Sequence, residues 1–311
     1  MEKFKVIFMG TPEFAIPPLE ALYETENLVA VVTQPDKPRG RGLKKLPSPV
    51  KNWAISKGIK VMEPEKIKDN SQFLEELKKL NPDLIVVCAY GKILPGEVLK
   101  IPKHGCWNIH ASLLPKYRGA SPINWAIIEG EKETGVTIML MDEGMDTGPI
   151  LLQKKIPIDE EETSVELAKK LSNLGKEALL EALSLYKKGK LKPVPQPEDG
   201  VSYAPIIKKE DGFFTFEEPA IKIERKVRGL LPWPGAYTFF KNKLLKIFSA
   251  KSIPLDFDAK PGTILKLNRD GILVATSEGA ILLREVQLEG KKRMSAYEFA
   301  CGQRLKQGDT F

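Results

Sequence analysis

The spacing of apolar and polar positions changes character near residue 208. Before that point, apolar runs of strand length alternate with amphipathic stretches. Phe4–Met9, Leu28–Thr33, Lys60–Met62 and Leu84–Ala89 read as strands, and the last is apolar throughout, as a strand buried on both faces must be. A helix is predicted from near Pro17 past Leu22, where proline suits the first turn, and another over Ser71–Leu80. Gly105–His110 and Val136–Met141 read as further strands. Thr163–Lys187 is the clearest helix. Thr163 and Glu166 form a capping box, and Leu167, Leu171, Leu174, Ala178, Ala182 and Leu185 keep a stripe at helical spacing. Strands alternating with helices predict an α/β domain over residues 1–189, built on a Rossmann-like doubly wound sheet.

Residues 190–207 read as a linker, because Pro193, Pro195 and Pro197 favour an extended, semi-rigid chain. Residues 208–311 form the second domain. A helix is predicted over Glu217–Gly229, followed by short β-rich runs at Ala236–Phe240, Leu244–Phe248, Thr263–Leu267, Gly271–Ala275 and Ala280–Val286. Turn pairs such as Asp270-Gly271 and Glu278-Gly279 separate the later runs, so a small β-barrel is expected.

Composition narrows the function classes. At 311 residues with 42% hydrophobic content, two ordinary cores are affordable. No apolar stretch reaches the roughly 18 residues of a membrane span, and Met1–Lys5 leads into a strand without a signal-peptide layout. Cys88, Cys106 and Cys301 have no metal-binding or CxxC spacing and read as buried thiols of a reducing cytoplasm, with no metal expected. The first strand–helix turn, Met9–Phe14, lacks GxGxxG, and no Walker sequence exists, so a dinucleotide or P-loop nucleotide site is not expected. The net charge of +7 suits a polyanionic partner, although Lys-Glu pairs on helices would also supply many of these charges.

The candidate chemistry lies between Asn108 and Asp146. In a strand ending at His110, side chains alternate, so Asn108 and His110 share a face with Cys106. Open α/β sheets bind ligands beyond the carboxyl ends of their strands. Asp146 follows the strand-like run Val136–Met141 and lies between Gly144 and Gly148. A neutral donor, an imidazole and a carboxylate together suit acyl transfer without a covalent intermediate. A second candidate is the segment Asp36–Lys45, where Lys37, Arg39, Arg41, Lys44 and Lys45 are interleaved with glycine. It is too polar for a core and too Gly-rich for a helix, so a solvated mobile loop is expected, able to order on nucleic acid.

The run Asn108-Ile109-His110-Ala111-Ser112-Leu113-Leu114-Pro115, followed by Asp146 in a Gly-rich loop, resembles the folate-dependent formyltransferases. Phe8–Ala15, Thr33–Gly42, Pro47–Lys51, Tyr117–Ile123 and Thr134–Met139 extend that resemblance over nearly the whole chain and point to the branch acting on methionyl-tRNA. The resemblance implies an OB-like C-terminal barrel and transfer of formyl from 10-formyltetrahydrofolate to the amino group of initiator methionyl-tRNA in translation initiation. It implies catalysis by Asn108, His110 and Asp146, and folate contacts from Ser112, Leu113, Leu114 and Pro115; Ala89, Tyr90 and Gly91, which follow a buried strand, are placed to wall an apolar slot. It also implies that Lys37, Arg39, Arg41, Lys44 and Lys45 meet the tRNA acceptor stem, with Arg41 the best candidate for a base-edge contact. Lys208, Lys209, Arg225, Lys226, Arg228, Lys291, Lys292 and Arg293 could track phosphates. No membrane and no obligate protein partner is expected. Two other readings are a formyltransferase for a small amine, which needs neither the basic segment nor the barrel, and an RNA-binding protein with a decayed sheet domain, which needs no Asn-His-Asp set.

Overall fold

The apolar runs of the N-terminal part assemble into one seven-stranded sheet. A computed structural model describes residues 2–39 and 44–311. The strands of this part of the chain are β1 (Lys5–Gly10), β2 (Asn27–Val32), the basic pair β3 (Lys37–Arg39) and β4 (Lys44–Leu46), β5 (Val61–Met62), β6 (Leu84–Cys88), β7 (Cys106–His110), β8 (Arg118–Gly119), β9 (Glu133–Leu140), β10 (Ile150–Pro157) and β11 (Tyr203–Ala204), of which β3–β4 and β8–β11 form separate two-stranded sheets. Sheet order is β10-β9-β7-β6-β1-β2-β5. The five strands β5, β2, β1, β6 and β7 are parallel, β9 is antiparallel to β7, and β10 is antiparallel to β9. Every residue of β6 is buried, as are all of β1 except Lys5, which suits central strands covered on both faces.

This order places a switch point at β1 and β6. The chain moves outward from β1 to β2 and β5, then returns to the other side of β1 as β6. Crevices for ligands open at the carboxyl edge of such points. Gly10 closes β1 there. A Cβ on it would lie 2.7 Å from Phe8 and 2.9 Å from the Cys88 carbonyl oxygen, so close approach of β6, rather than a turn angle, requires glycine.

The sequence pattern missed elements that are short or solvated on one face. β10 alternates buried and open positions and carries Gln153, Lys154 and Lys155, as an edge strand does. The helices Pro49–Ser56, Pro122–Glu129 and Ala296–Gln303 have 8 residues each, too few to display a full apolar stripe. The basic segment, expected as a loop throughout, is antiparallel at both ends, with Lys37 opposite Leu46 and Arg39 opposite Lys44.

The chain divides into two compact units. The first comprises residues up to Pro122, Glu133–Pro157 and Ala168–Pro205; the second comprises Ile123–Lys132, Ile158–Leu167 and Ile206–Phe311. In the second, β12 (Ala236–Phe240), β13 (Lys243–Ile253), β14 (Ile264–Asn268), β15 (Gly271–Ala275), β16 (Ala280–Leu288) and β17 (Met294–Ser295) form an antiparallel sheet in the order β12-β13-β16-β15-β14, with β17 on β16. Register shifts near Ile247 and Ser249 let the 11-residue β13 bend, which is how a small sheet curls around its own core. Phe214, Ile223, Leu245, Ile272, Leu283 and Phe299 fill that core.

The long helix Ser164–Lys187 is fastened within the first unit at two points. Ser172 Oγ donates to the Phe14 carbonyl at 2.7 Å. At its end, Lys187 Nζ lies 2.5 and 2.8 Å from the two carboxylate oxygens of Glu26, whose Oε2 also accepts from the Phe4 N–H at 2.7 Å. Both charged side chains are nearly buried, and Lys187 also sits over the Phe4 ring at 4.6 Å. Removing one member of such a pair leaves the other charge stranded. Lys187→Met should therefore cost about 3–5 kcal/mol of stability, while the double variant Glu26→Gln/Lys187→Met should recover most of it. Denaturant titration of the single and double variants checks this, and equal losses in both would show that the pair is not the fastening.

Candidate active site

Strand β7 brings Asn108 and His110 to the carboxyl edge of the sheet, on one face, as alternation requires. Asp146 reaches them from the loop after β9. Its backbone is left-handed, with φ of 55°, a conformation that Asp tolerates better than most residues. Its Oδ1 accepts from Asn108 Nδ2 at 3.3 Å. Its Oδ2 accepts from the Gly119 N–H at 2.8 Å and lies 3.6 Å from His110 Nδ1. The other ring nitrogen, Nε2, is 2.9 Å from the Tyr117 carbonyl oxygen. A carbonyl can only accept, so Nε2 carries a proton and Nδ1 faces the carboxylate. His110 is buried, while Asn108 and Asp146 are half-buried. The second N–H of the Asn108 amide and the Nδ1 edge of His110 remain for an incoming oxygen.

A second layer holds this group in register. Thr137 lies opposite His110 on β9, and Gln153 lies opposite Thr137 on β10. Thr137 Oγ1 donates to the Ser112 carbonyl at 2.7 Å and accepts from the Leu114 N–H at 3.1 Å and from Gln153 Nε2 at 2.9 Å. Gln153 Nε2 also reaches the Leu114 carbonyl at 2.8 Å. The buried Ser112 hydroxyl donates to the Lys116 carbonyl at 2.6 Å. Ser112, Leu113, Leu114 and Pro115 are thus a tightly bonded loop leaving β7. Ala89, Tyr90 and Gly91 leave the neighbouring β6, with left-handed φ of 49° at Ala89 and 78° at Gly91. The Tyr90 side chain lies in the core, so only its main chain can meet a ligand. Its carbonyl accepts from Gln34 Nε2 at 2.7 Å and Thr11 Oγ1 at 3.3 Å, tying the ends of β1, β2 and β6 together.

Buried thiols flank the site without entering its chemistry. Burial pushes the Cys106 thiol up to about 12 and the Cys88 thiol higher still, so neither is a thiolate at neutral pH. Among the described residues, no group of three or more His, Cys, Asp and Glu side chains could hold a metal ion. Also among them, no helix is long and apolar enough to cross a membrane.

The basic segment has a braced base. Thr33 Oγ1 and Ser48 Oγ, both buried, are 2.7 Å apart. Lys51 Nζ lies 2.8 Å from Glu63 and 2.9 Å from Asp36, and these hydrogen bonds, Glu63 first, hold its ammonium above the usual lysine range. Arg41, singled out from the sequence, lies outside the described residues, and Lys37, Arg39, Lys44 and Lys45 are carried on β3 and β4. In the second unit, half of the basic set proposed to track phosphates is bonded internally. Lys226 pairs with Glu218, Arg228 with Glu224, Arg293 with Glu285, and Arg225 Nη1 donates to the Glu129 carbonyl. Lys208, Lys209, Lys291 and Lys292 are exposed.

The sequence brought forward Asn108, His110 and Asp146 but not Tyr117, Gly119, Thr137 or Gln153. Tyr117 and Gly119 act through the backbone, which side-chain identity does not reveal. Thr137 did leave a signal, a hydroxyl at the centre of the apolar run Val136–Met141.

Comparison with known proteins gives this geometry a family. The formyl transferase family model matches residues 2–183, and the formyl transferase C-terminal domain model matches residues 206–304. A methionyl-tRNA formyltransferase from Caldanaerobacter subterraneus subsp. tengcongensis is 52% identical over 305 residues, covering 98% of each chain. One from Myxococcus xanthus is 49% identical, covering 99% of this chain and 98% of its own. Among solved structures, the N-formyltransferase from Helicobacter canadensis, in complex with folinic acid and dTDP-3-aminofucose, superposes with a TM-score of 0.67 at 20% identity, over 91% of this chain and 99% of its own. HypX from Aquifex aeolicus, in complex with tetrahydrofolic acid, gives 0.65 at 20% identity, over 96% of this chain and 47% of that longer one. At such identities the two structures speak for the fold alone. With both family models matched and near-full-length relatives at about half identity, the chain belongs to the formyl transferase family.

Proposed function

We propose that this protein transfers the formyl group of 10-formyltetrahydrofolate to the amino group of methionyl-initiator tRNA, for translation initiation in the cytoplasm. The observation that carries this reading is the convergence of Asn108, His110 and Asp146 at one sheet edge, in a chain about half identical end to end to methionyl-tRNA formyltransferases. The folate lies against the loops Ala89–Gly91 and Ser112–Pro115, at the carboxyl ends of β6 and β7. The neutral amine attacks the formyl carbon. As the carbonyl oxygen becomes negative, the free N–H of Asn108 stabilises it together with the Nδ1–H of His110 in its doubly protonated form, the Nε2–H staying on the Tyr117 carbonyl. Asp146 orients the imidazole, takes up charge from the attacking nitrogen and passes its proton towards the departing folate nitrogen, directly or through water. The side chains act as bases, donors and orienting groups, and no covalent enzyme intermediate is needed.

The basic segment and the second unit bind the tRNA. Lys37, Arg39, Lys44 and Lys45 attract the acceptor-stem backbone while Arg41 meets a base edge, and the exposed Lys208, Lys209, Lys291 and Lys292 extend contact to phosphates elsewhere. The direct test is transfer of labelled formyl to methionyl-tRNA, with glycinamide ribonucleotide and amino-sugar nucleotides as competing acceptors. Preferential labelling of a small amine would overturn the proposal.

Two sets of variants probe the parts. His110→Ala should lower turnover at saturating substrates by about a hundred- to a thousand-fold, the usual cost of losing one oxyanion donor, with folate binding little changed. Asp146→Asn should lose turnover comparably, since the amide cannot take up charge. Near-normal turnover in either would remove that residue from the mechanism. In the basic segment, Arg41→Ala should reduce discrimination between initiator and elongator methionyl-tRNA by roughly 1–3 kcal/mol, the worth of a bidentate base contact. Lys44→Ala should instead flatten the salt dependence of binding. Catalytic efficiencies on both tRNAs at two salt concentrations separate these effects, and equal losses on the two tRNAs for Arg41→Ala would reduce it to a phosphate contact.

A further inference from the structure

The segment that reads as a linker contributes a side chain to the catalytic geometry. Within Lys192–Gly200 every residue is exposed except Gln196. Its amide Nε2 donates to the carbonyl oxygens of Asp146 and Gly148 at 2.7 and 2.8 Å. Its Oε1 accepts from Arg118 Nε and Nη2 at 3.1 and 2.7 Å. Arg118 precedes Gly119, whose N–H bonds the Asp146 carboxylate. Two residues earlier, Val194 pairs with Ile150 at the start of β10, N–H to carbonyl in both directions at 2.7 and 2.8 Å. Nearby, Ser202 accepts the Tyr117 N–H through its hydroxyl at 2.9 Å. Gly148 itself leaves no room for a side chain, since a Cβ would lie 1.9 Å from the Leu140 carbonyl oxygen.

We infer that Gln196 is a positioning residue for Asp146, clamping the left-handed Asp146 loop to the Arg118–Gly119 strand so that the carboxylate stays on Asn108 and His110. The amide is suited to this because it donates on one side and accepts on the other. Glutamate would keep the acceptor for Arg118 but turn a second oxygen towards two carbonyls. A clamp that drifts by about an ångström can cost on the order of a hundredfold in rate, with the folate loops untouched. The kinetic part of the test rests on methionyl-tRNA being the acceptor, so it is paired with a measurement that needs no substrate.

Gln196→Ala and Gln196→Glu are compared in the full-length protein. Both should lower kcat about tenfold to a hundredfold, with KM for the folate within about twofold of the parent and the melting temperature nearly unchanged, because the side chain is only half-buried. In an Asp146→Asn background, Gln196→Ala should add less than about twofold, because the clamp then has nothing to position. Exchange of the Gly119 amide hydrogen should rise at least about tenfold in both variants. Full kcat in either variant, additive losses with Asp146→Asn, rescue by glutamate, or unchanged Gly119 exchange would each overturn the proposal. If the parent protein itself failed to label methionyl-tRNA, the acceptor assignment would fall, and Gly119 exchange alone would decide the role of Gln196.

Discussion

The site depends on how one carboxylate is held. Asp146 meets an amide N–H of Asn108, the backbone N–H of Gly119 and the Nδ1 edge of His110 within 3.6 Å. The Asn108 and Gly119 N–H groups make charge-assisted hydrogen bonds to it, which are the strong ones, and they work only where the loop is fixed. The loop is fixed at a cost in backbone conformation. Ala89, Tyr117 and Asp146 all adopt left-handed angles, with φ of 49°, 59° and 55°. Such residues persist where the surroundings over-determine them, and they gather at functional sites. Here the surroundings are the Tyr117 N–H on Ser202, the Asp146 carbonyl on Gln196 and the strand pair β8–β11.

The sheet supplies the other half of the geometry. His110, Thr137 and Gln153 stand in one cross-strand row over β7, β9 and β10, so the polar layer beneath the imidazole is set by register alone. A shift of one residue would turn the whole set to the opposite face. Because β9 runs antiparallel to β7, the loop after β9 can reverse towards β10 and bring Asp146 back over the residues of β7. The antiparallel edge of this mostly parallel sheet is thus what lets a residue 36 positions beyond His110 share its site.

The sequence made some of this plain and hid the rest for physical reasons. Strands buried on both faces, such as Leu84–Cys88, and the long striped helix Ser164–Lys187 carry their own periodicity, and their limits were readable to within a residue or so. Alternation in β7 was enough to pair Asn108 with His110. The edge strand β10 was invisible because its solvated face replaces the apolar run with glutamine and lysine. Gln196 was hidden for a related cause. It lies among prolines and charges, and only the return of the chain to β8 and β10 gives its amide two carbonyls and a guanidinium to join. The same return explains why residues 190–205, linker-like in composition, belong to the first unit.

The arrangement turns on the imidazole of His110, held by the Tyr117 carbonyl with Nδ1 towards Asp146. The chain has only two histidines, so their ring nitrogens can be followed individually by nitrogen NMR, with His104→Gln giving the assignment. In the substrate-free protein, the neutral ring of His110 should carry its proton on Nε2, bonded to the Tyr117 carbonyl, with Nδ1 bare and facing Asp146. A neutral ring protonated on Nδ1, with Nε2 bare, would contradict the arrangement on which the mechanism and the clamp both rest.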